Sequence, residues 1–275
     1  MSSTGDADLM VEARSALLDA LQALDDLREA VVVIGAQAVY LHTGGAPVAL
    51  AETTKDSDLA LDPRRLPDEP LLEEAMRRAG FVLNATSRQP GAWVSPRGIP
   101  VDLMVPESLG GSGGRRGARI PPHSPRSARR AAGLEACVVD RVSMTVASLR
   151  DGDERRYVAT VAGPAALLVA KLHKIGERRV DNPGRLHDKD AHDIYRLLIA
   201  VETTTLSAAL TRLLTDDFSR DVTAQAMTFL HELFAESPAA LGSTMAGRAE
   251  QGIGEPATVS ASVAFLAGDL LTAIK

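Results

Sequence analysis

The run Val31-Val32-Val33-Ile34 limits what this chain can fold into more than any other four residues in it. Four consecutive β-branched side chains read as a strand buried on both faces. The run stops at Gly35, and Ala36 to Leu41 then begin a helical pattern. A buried strand that enters a helix through glycine calls for a sheet with helices packed on it, an α/β (α+β) arrangement. The strand-like segment Asp56 to Leu61 follows, closed by Asp62-Pro63, and a second apolar run, Ile99 to Val105, lies further on.

These two later segments carry acids where strands put them to use. Residues i and i+2 of a strand share a face, so Asp56 and Asp58 point the same way about 7 Å apart. Asp102 lies between Val101 and Leu103, and an adjacent strand can bring it into the same space. Three carboxylates without histidine or cysteine make an all-oxygen site of the kind that holds Mg²⁺ or Mn²⁺ against a triphosphate. Asp56 and Asp58 suit a bridging role between cations, and Asp102 suits the cation nearer an acceptor hydroxyl whose proton must leave. The backbone N–H groups of Gly35 and Ala36, at the start of a helix, can cradle phosphates. A capping or turn role for Asp-Ser-Asp is the alternative, and the glycine turn upstream and Asp102 downstream favour the metal site. The expected chemistry is metal-assisted nucleotidyl transfer from a nucleoside triphosphate.

A basic helix is expected over residues 167–178. At about 100° per residue, Lys171, Lys174 and Arg178 fall within a roughly 60° arc beside Leu168, Leu172 and Ile175. Cationic heads bordering a buried face suit a wall over a triphosphate, and an ordinary solvated helix face is the competing reading. Asp190 and Asp193 share one face at i, i+3, where they can pair with Lys171 or Arg178 or cap their own helix. His42, His123, His173, His187 and His192 lack zinc-ligand spacing and are expected to be solvated or locally hydrogen-bonded.

Periodicity divides the 275 residues into two domains, an α/β domain over 1–162 and a helical domain over 163–275 that completes the nucleotide site. In the first, helices are expected at 8–29 and 71–79, with strands at 81–83, 136–139, 144–149 and 157–161. In the second, helices are expected at 164–178, 189–200, 205–215, 219–235 and 257–273, with Pro164 in a first turn. No apolar run approaches the ~20 residues of a membrane span, and the start of the chain has no secretory pattern, so a cytoplasmic protein without membrane contact is expected. The lone Cys137 is expected to be a small buried side chain. The net charge of −6 argues against a general nucleic-acid coat. Residues 108–134, however, contain no acid and carry Arg115, Arg116, Arg119, Arg126, Arg129 and Arg130. That segment is either a surface for a phosphate-rich partner or a solvated, mobile loop.

Together these residues resemble bacterial nucleotidyltransferases of the AbiEii type, including the MenT toxins of toxin–antitoxin systems, built on a polymerase-β-like core with a mixed sheet. The family's Thr-x-Asp-x-Asp strand is matched by Thr54-Lys55-Asp56-Ser57-Asp58. Its Lys with Arg seven residues later is matched by Lys171 and Arg178, and its basic-Asp-x-x-Asp helix start by Lys189-Asp190 and Asp193. Ala36 replaces the second residue of a Gly-Gly or Gly-Ser pair, and Glu52 stands where an arginine often precedes the aspartates. The resemblance implies that Asp56 and Asp58 bind metal and that Gly35 and Ala36 bind the triphosphate. It implies that Lys171 with Asp190 or Asp193 completes the nucleotide site, to which Thr54, Lys174 and Arg178 also contribute. The acceptor it implies is tRNA or another RNA, or a protein hydroxyl, with a cognate antitoxin as partner. Adenylation of a small molecule such as an antibiotic, and a nucleotide-binding interaction protein without turnover, are the alternative functions.

Overall fold

The computed structural model describes residues 3–44, 55–87, 89–112 and 117–274. It divides into two compact units. The first comprises residues 1–38, 53–134 and 141–162, and the second 39–52, 135–140 and 163–275.

The first unit is a mixed sheet with helices. Helix α1 (Ser3–Ala23) leads through a 3-10 turn into β1 (Val31–Ile34), all four residues of which are buried. Helix α2 (Gly35–Thr43) follows directly. Then come β2 (Ser57–Leu61), α3 (Leu72–Arg78), β3 (Val82–Leu83), β4 (Ala92–Val94), β5 (Pro100–Pro106) and β6 (Arg129–Ala131). Two longer strands, β7 (Arg141–Ala147) and β8 (Arg156–Ala162), complete the sheet. The order is β3-β4-β5-β2-β1-β8-β7, with β6 also on β5. β1 pairs antiparallel with β2 and parallel with β8, while β2 runs parallel to β5. The β-branched run is therefore a central strand, flanked on both sides, as its lack of a polar face requires.

Helix α1 covers the face of the sheet that carries Ser57, whose hydroxyl donates to the Ala13 carbonyl at 2.8 Å. Buried Arg14 donates from Nε to Gln37 Oε1 at 2.8 Å, a charged head satisfied inside the unit. The neighbours of Ser57 along β2, Asp58 and Ala60, face the other way.

One edge of β5 is shared by two strands. β4 pairs with its first half, through Ala92↔Asp102, and β6 with its second half, through Met104↔Arg129. Gly91 stands at the seam: its N–H donates to the Arg126 carbonyl and its carbonyl accepts from the Leu103 N–H, both at 2.8 Å. Its φ of +74°, together with a Cβ position that would collide with the Leu103 carbonyl and lie 2.7 Å from the Arg129 nitrogen, admits glycine alone.

The described part of the arginine-rich segment is anchored and is not a solvated loop. Ala118, Ile120 and Ala128 are buried. His123 accepts from the Leu72 N–H at Nδ1 (3.2 Å), and its Nε2 lies 3.0 Å from the Pro67 carbonyl. The Ser127 hydroxyl donates to Glu73 at 2.7 Å, and the Ser127 carbonyl accepts from buried Trp93 at 2.9 Å. Arg115 and Arg116 lie outside the described residues.

The second unit is helical: α4 (Glu135–Val139), α5 (Pro164–Asp181), α6 (Asp188–Ala200), α7 (Thr203–Thr215), α8 (Arg220–Leu230), α9 (Leu241–Ala249) and α10 (Pro256–Ala273). A π-helical turn, His231–Ala235, extends α8. The strand expected at Ala136–Val139 is helix α4, because a four-residue apolar run has no period with which to tell strand from helix. Its Cys137 is fully buried, and burial holds the thiol far above its ordinary pKa. Helix α9 was not expected from the sequence. Its Gly242 packs under the Phe234 ring and its Gly247 against the Pro256 carbonyl, so close approach takes the place of an apolar stripe. Helix α10, at 18 residues, is long and apolar enough to cross a membrane by length and composition, contrary to the sequence expectation. Within the unit it buries Val259, Val263, Ala264, Ala267 and Leu270.

The seam yields a paired expectation. Gly91→Ala should lose more stability than Gly98→Ala, which has φ +81° and nothing within 4 Å of its Cβ position. The second variant should cost only the left-handed backbone penalty of about 1–2 kcal/mol, and the first that plus a backbone collision. Urea denaturation of the two variants measures the difference.

Candidate functional site

In the first unit, pairing register brings two of the three sequence-predicted carboxylates side by side. Ile34 of β1 pairs with Asp58 of β2, and Asp58 pairs with Asp102 of β5. Directly paired residues share a face, so Asp58 and Asp102 stand on adjacent strands about 4.8 Å apart, opposite the face that α1 covers. Asp56 immediately precedes β2 and, like both partners, is half-buried.

Gly35 binds this pair to the helix start. It opens α2 with φ +70°, and a Cβ there would fall on the Asp58 carboxylate, 2.9 Å from the Asp58 Cβ. The carboxylate thus lies against the N-terminal end of α2, the end that carries partial positive charge. Ala36 follows, 7% exposed. Thr54 and Glu52 lie outside the described residues.

Arg129 of β6 gave no signal in the sequence beyond belonging to an arginine-rich stretch. It pairs with Met104, two residues beyond Asp102 on the same face, and its Nη2 donates to Asp102 Oδ2 at 2.7 Å. The two side chains are 16% and 21% exposed. Arg129 Nη1 is buried with no hydrogen-bond acceptor among the described residues.

Among the described residues, no group of three or more His, Cys, Asp or Glu side chains is gathered closely enough to hold a metal ion. The donor chemistry nonetheless suits a hard cation. Mg²⁺ is ordinarily held by one or two carboxylates, with substrate phosphates and water filling the remaining positions. Asp58 and Asp102 provide that number on one face.

The other predicted residues lie in the second unit, where they form a buried ionic network. Lys171 Nζ reaches Asp190 Oδ1 at 2.9 Å and Asp193 Oδ2 at 2.6 Å. Lys174 Nζ donates to Asp190 Oδ1 at 2.8 Å, and Arg178 Nη1 lies 3.5 Å from Asp190 Oδ2. Lys171 and both aspartates are buried, whereas the Lys174 and Arg178 side chains keep 34% and 23% of their surface. Pairing between the helices is observed, and Asp190 also stands in the first turn of α6, where its charge suits the helix end. Burial opposes the charge on Asp190, but Lys171 and Lys174 outweigh it and hold the carboxyl well below its usual range. Burial likewise opposes the charge on Lys171, and Asp190 and Asp193 hold it above its usual value.

Tyr40 and Arg196 adjoin this network and were not singled out in the sequence. The Arg196 guanidinium stacks 5.4 Å from the Tyr40 ring centre and donates to the Thr43 carbonyl at 3.0 Å. Burial, then the charge of Asp193, pushes the Tyr40 hydroxyl up to about 12. His173 and His192 are buried and locally bonded, His173 to the Val222 carbonyl at 2.8 Å and His192 to Glu250 at 2.7 Å.

Two measurements check these arrangements. A double-mutant cycle of Gly35→Ala with Asp58→Ala should show coupling of about 1 kcal/mol, because removing the carboxyl takes away the closest collision, while the 2.9 Å approach to the residue-58 Cβ and the backbone strain remain. Asp190 has a depressed native pKa, so its contribution to stability is complete above the unfolded carboxylate pKa of about 4 and is lost as pH falls toward the native value. Wild-type stability by urea denaturation should therefore fall from about pH 4 downward. Asp190→Asn should start about 3–5 kcal/mol lower and vary less over that range, because it leaves buried Lys171 short of a partner.

Comparison with known proteins sets these residues in a family. A search of curated proteins returned no significant match. A solved structure described as an antigenic nucleotidyltransferase-like protein from Paracoccidioides brasiliensis aligns with 80% of this chain and 93% of its own, at 15% identity and a TM-score of 0.39. A family model described as "Nucleotidyltransferase" matches residues 12–216, a span that includes β1, the three aspartates and the Lys171–Asp190–Asp193 network. With most of its length inside that match, the chain belongs to the nucleotidyltransferase family and is a nucleotidyltransferase.

Proposed function

We propose that this nucleotidyltransferase moves a nucleoside monophosphate from a triphosphate to an RNA hydroxyl, tRNA being the favoured acceptor, in the manner of the AbiEii-type toxins it resembles. In this reading a cognate antitoxin restrains it and the reaction takes place in the cytoplasm. The observation that carries the reading is the Ile34–Asp58–Asp102 register, which sets Asp58 beside the glycine that opens α2 and Asp102 on the next strand.

Asp58 and Asp102 would hold Mg²⁺ or Mn²⁺, with Asp56 as a further donor. When bound, such an ion offsets phosphate charge and polarises the phosphorus under attack. Gly35 and Ala36 present backbone N–H groups at the start of α2 to the triphosphate, and Thr54 belongs to the same binding set. The attacking hydroxyl bonds to the α-phosphorus and gives up its proton near Asp102, an acceptor while ionised, as the bond to the β-phosphate breaks and pyrophosphate leaves.

Lys174 and Arg178 retain exposed surface and suit contact with phosphate oxygens. Lys171, buried between Asp190 and Asp193, acts through the carboxylate that it shares with Lys174 and Arg178, fixing where both cationic heads can point. Arg119 and Arg126 are exposed on the anchored arginine-rich segment and suit a phosphate backbone.

Incubation with Mg²⁺, each α-labelled triphosphate and total cellular RNA tests the reading. Label should enter RNA, and Asp58→Asn should reduce transfer by about 10²-fold or more, the order lost when one charge-stabilising group leaves a transition state. Label entering only small hydroxyl compounds would replace the RNA acceptor, and transfer undiminished in Asp58→Asn would remove that residue from the site.

A further inference from the structure

We infer that Arg129 does at Asp102 what a second divalent ion would do, so that this site holds one cation and not two. The inference rests on the reading of Asp58 and Asp102 as the cation site.

Four observations lead to it. Asp58 and Asp102 are direct partners on parallel strands, so two acidic side chains leave one face of the sheet from backbones about one strand spacing apart, an arrangement that calls for positive charge between or beside them. Arg129 reaches one of the two from the same face, with Nη2 at 2.7 Å from Asp102 Oδ2, and both side chains are mostly buried. An arginine remains charged at any working pH, so it is a permanent cation at that carboxylate. The strand that bears it is fixed by the Gly91 seam, where the Arg129 nitrogen lies 2.7 Å from a position that only glycine leaves open.

Beyond these four stands the second guanidinium nitrogen. Nη1 is buried and has no acceptor among the described residues. A buried donor left without a partner is destabilising, more so when it belongs to a charged group, and such a group persists where a ligand provides the missing oxygen. In a two-cation site the second ion does two things: it holds a carboxylate and attracts a reacting oxygen. Arg129 has one nitrogen for each task. Nη2 holds Asp102, and Nη1 is left for an oxygen of the triphosphate or of the acceptor.

The ion of this site is then held through the Asp58 side of the pair, which the N-terminal end of α2 also faces. With Arg129 made neutral, the same two carboxylates would accept a second ion. Arg129 is therefore a positioning residue for Asp102 whose charge sets the number of cations.

Equilibrium dialysis against Mn²⁺ alone, with the free ion read by electron paramagnetic resonance, tests this on the full chain. Ions bound elsewhere are subtracted with Asp58→Asn. Wild type should bind one Mn²⁺ per chain at the subtracted site, Arg129→Gln two, and Arg129→Lys, which keeps the charge, one. Two ions in wild type, or one in Arg129→Gln, would overturn the inference and leave the carboxylate site standing. No ion in wild type would overturn both. The wild-type count decides even if Arg129→Gln fails to fold.

Discussion

The juxtaposition of Asp58 and Asp102 on parallel neighbouring strands is the constraint around which the first unit is arranged. Two carboxylates on one face of neighbouring strands repel, by roughly 2–3 kcal/mol over separations of about 5–10 Å at an effective dielectric of about 20, a sizeable fraction of the stability of an ordinary domain. The surroundings offset this in two ways. The α2 N-terminus, brought within contact of Asp58 by the absence of a side chain at Gly35, turns partial positive charge toward one carboxylate. Arg129 places a full positive charge on the other. Both devices depend on backbone that only glycine permits, Gly35 at the first and Gly91 at the second.

The second unit meets a similar problem differently. Asp190 and Asp193 face Lys171 in a nearly dry interior, and Lys174 and Arg178 add positive charge on the Asp190 side. Such a network gains little net stability over apolar packing, because each ion must first leave water. What it fixes is geometry: Asp190 can serve three cations only if α5 and α6 keep one rotation and one separation. A residue read from the sequence as a direct phosphate ligand, Lys171, is in the structure the centre of that arrangement, and its neighbours on α5 retain the surface.

Much of this was legible in the sequence, and the rest was not, for definite reasons. The strand at 31–34 and the helices at Pro164 and Asp188 were readable because a buried strand and an amphipathic helix leave periodic traces. That Asp102 faces opposite to Val101 and Leu103 was readable from alternation alone. Its position beside Asp58 was not, because register is set by pairing between distant segments, and a slip of one residue would turn the carboxylate to the other face. Arg129 was invisible for a related reason, since it lies on a three-residue strand that exists only because β4 leaves half of the β5 edge unpaired. Helix α9 escaped because its packing relies on glycine, which carries no hydrophobic signal. The assignment of residues 39–52 and 135–140 to the second unit likewise leaves no local trace in composition.

Burial separates the two acidic sets by what each can do. Asp190 and Asp193 keep 2% and 4% of their side-chain surface, so an incoming ion would have to displace ammonium and guanidinium groups from a site that water barely reaches. Asp102 keeps 21%, and Asp56 and Asp58 are likewise half-buried. A site that exchanges ligands needs carboxylates dry enough for their charge to act strongly and open enough for a phosphate to arrive, and only the sheet set meets both conditions. The same sequence signal, aspartates spaced to share a face, thus has two physical meanings here. On the helix it organises packing, and on the strand it leaves an anionic surface that an incoming ligand can reach.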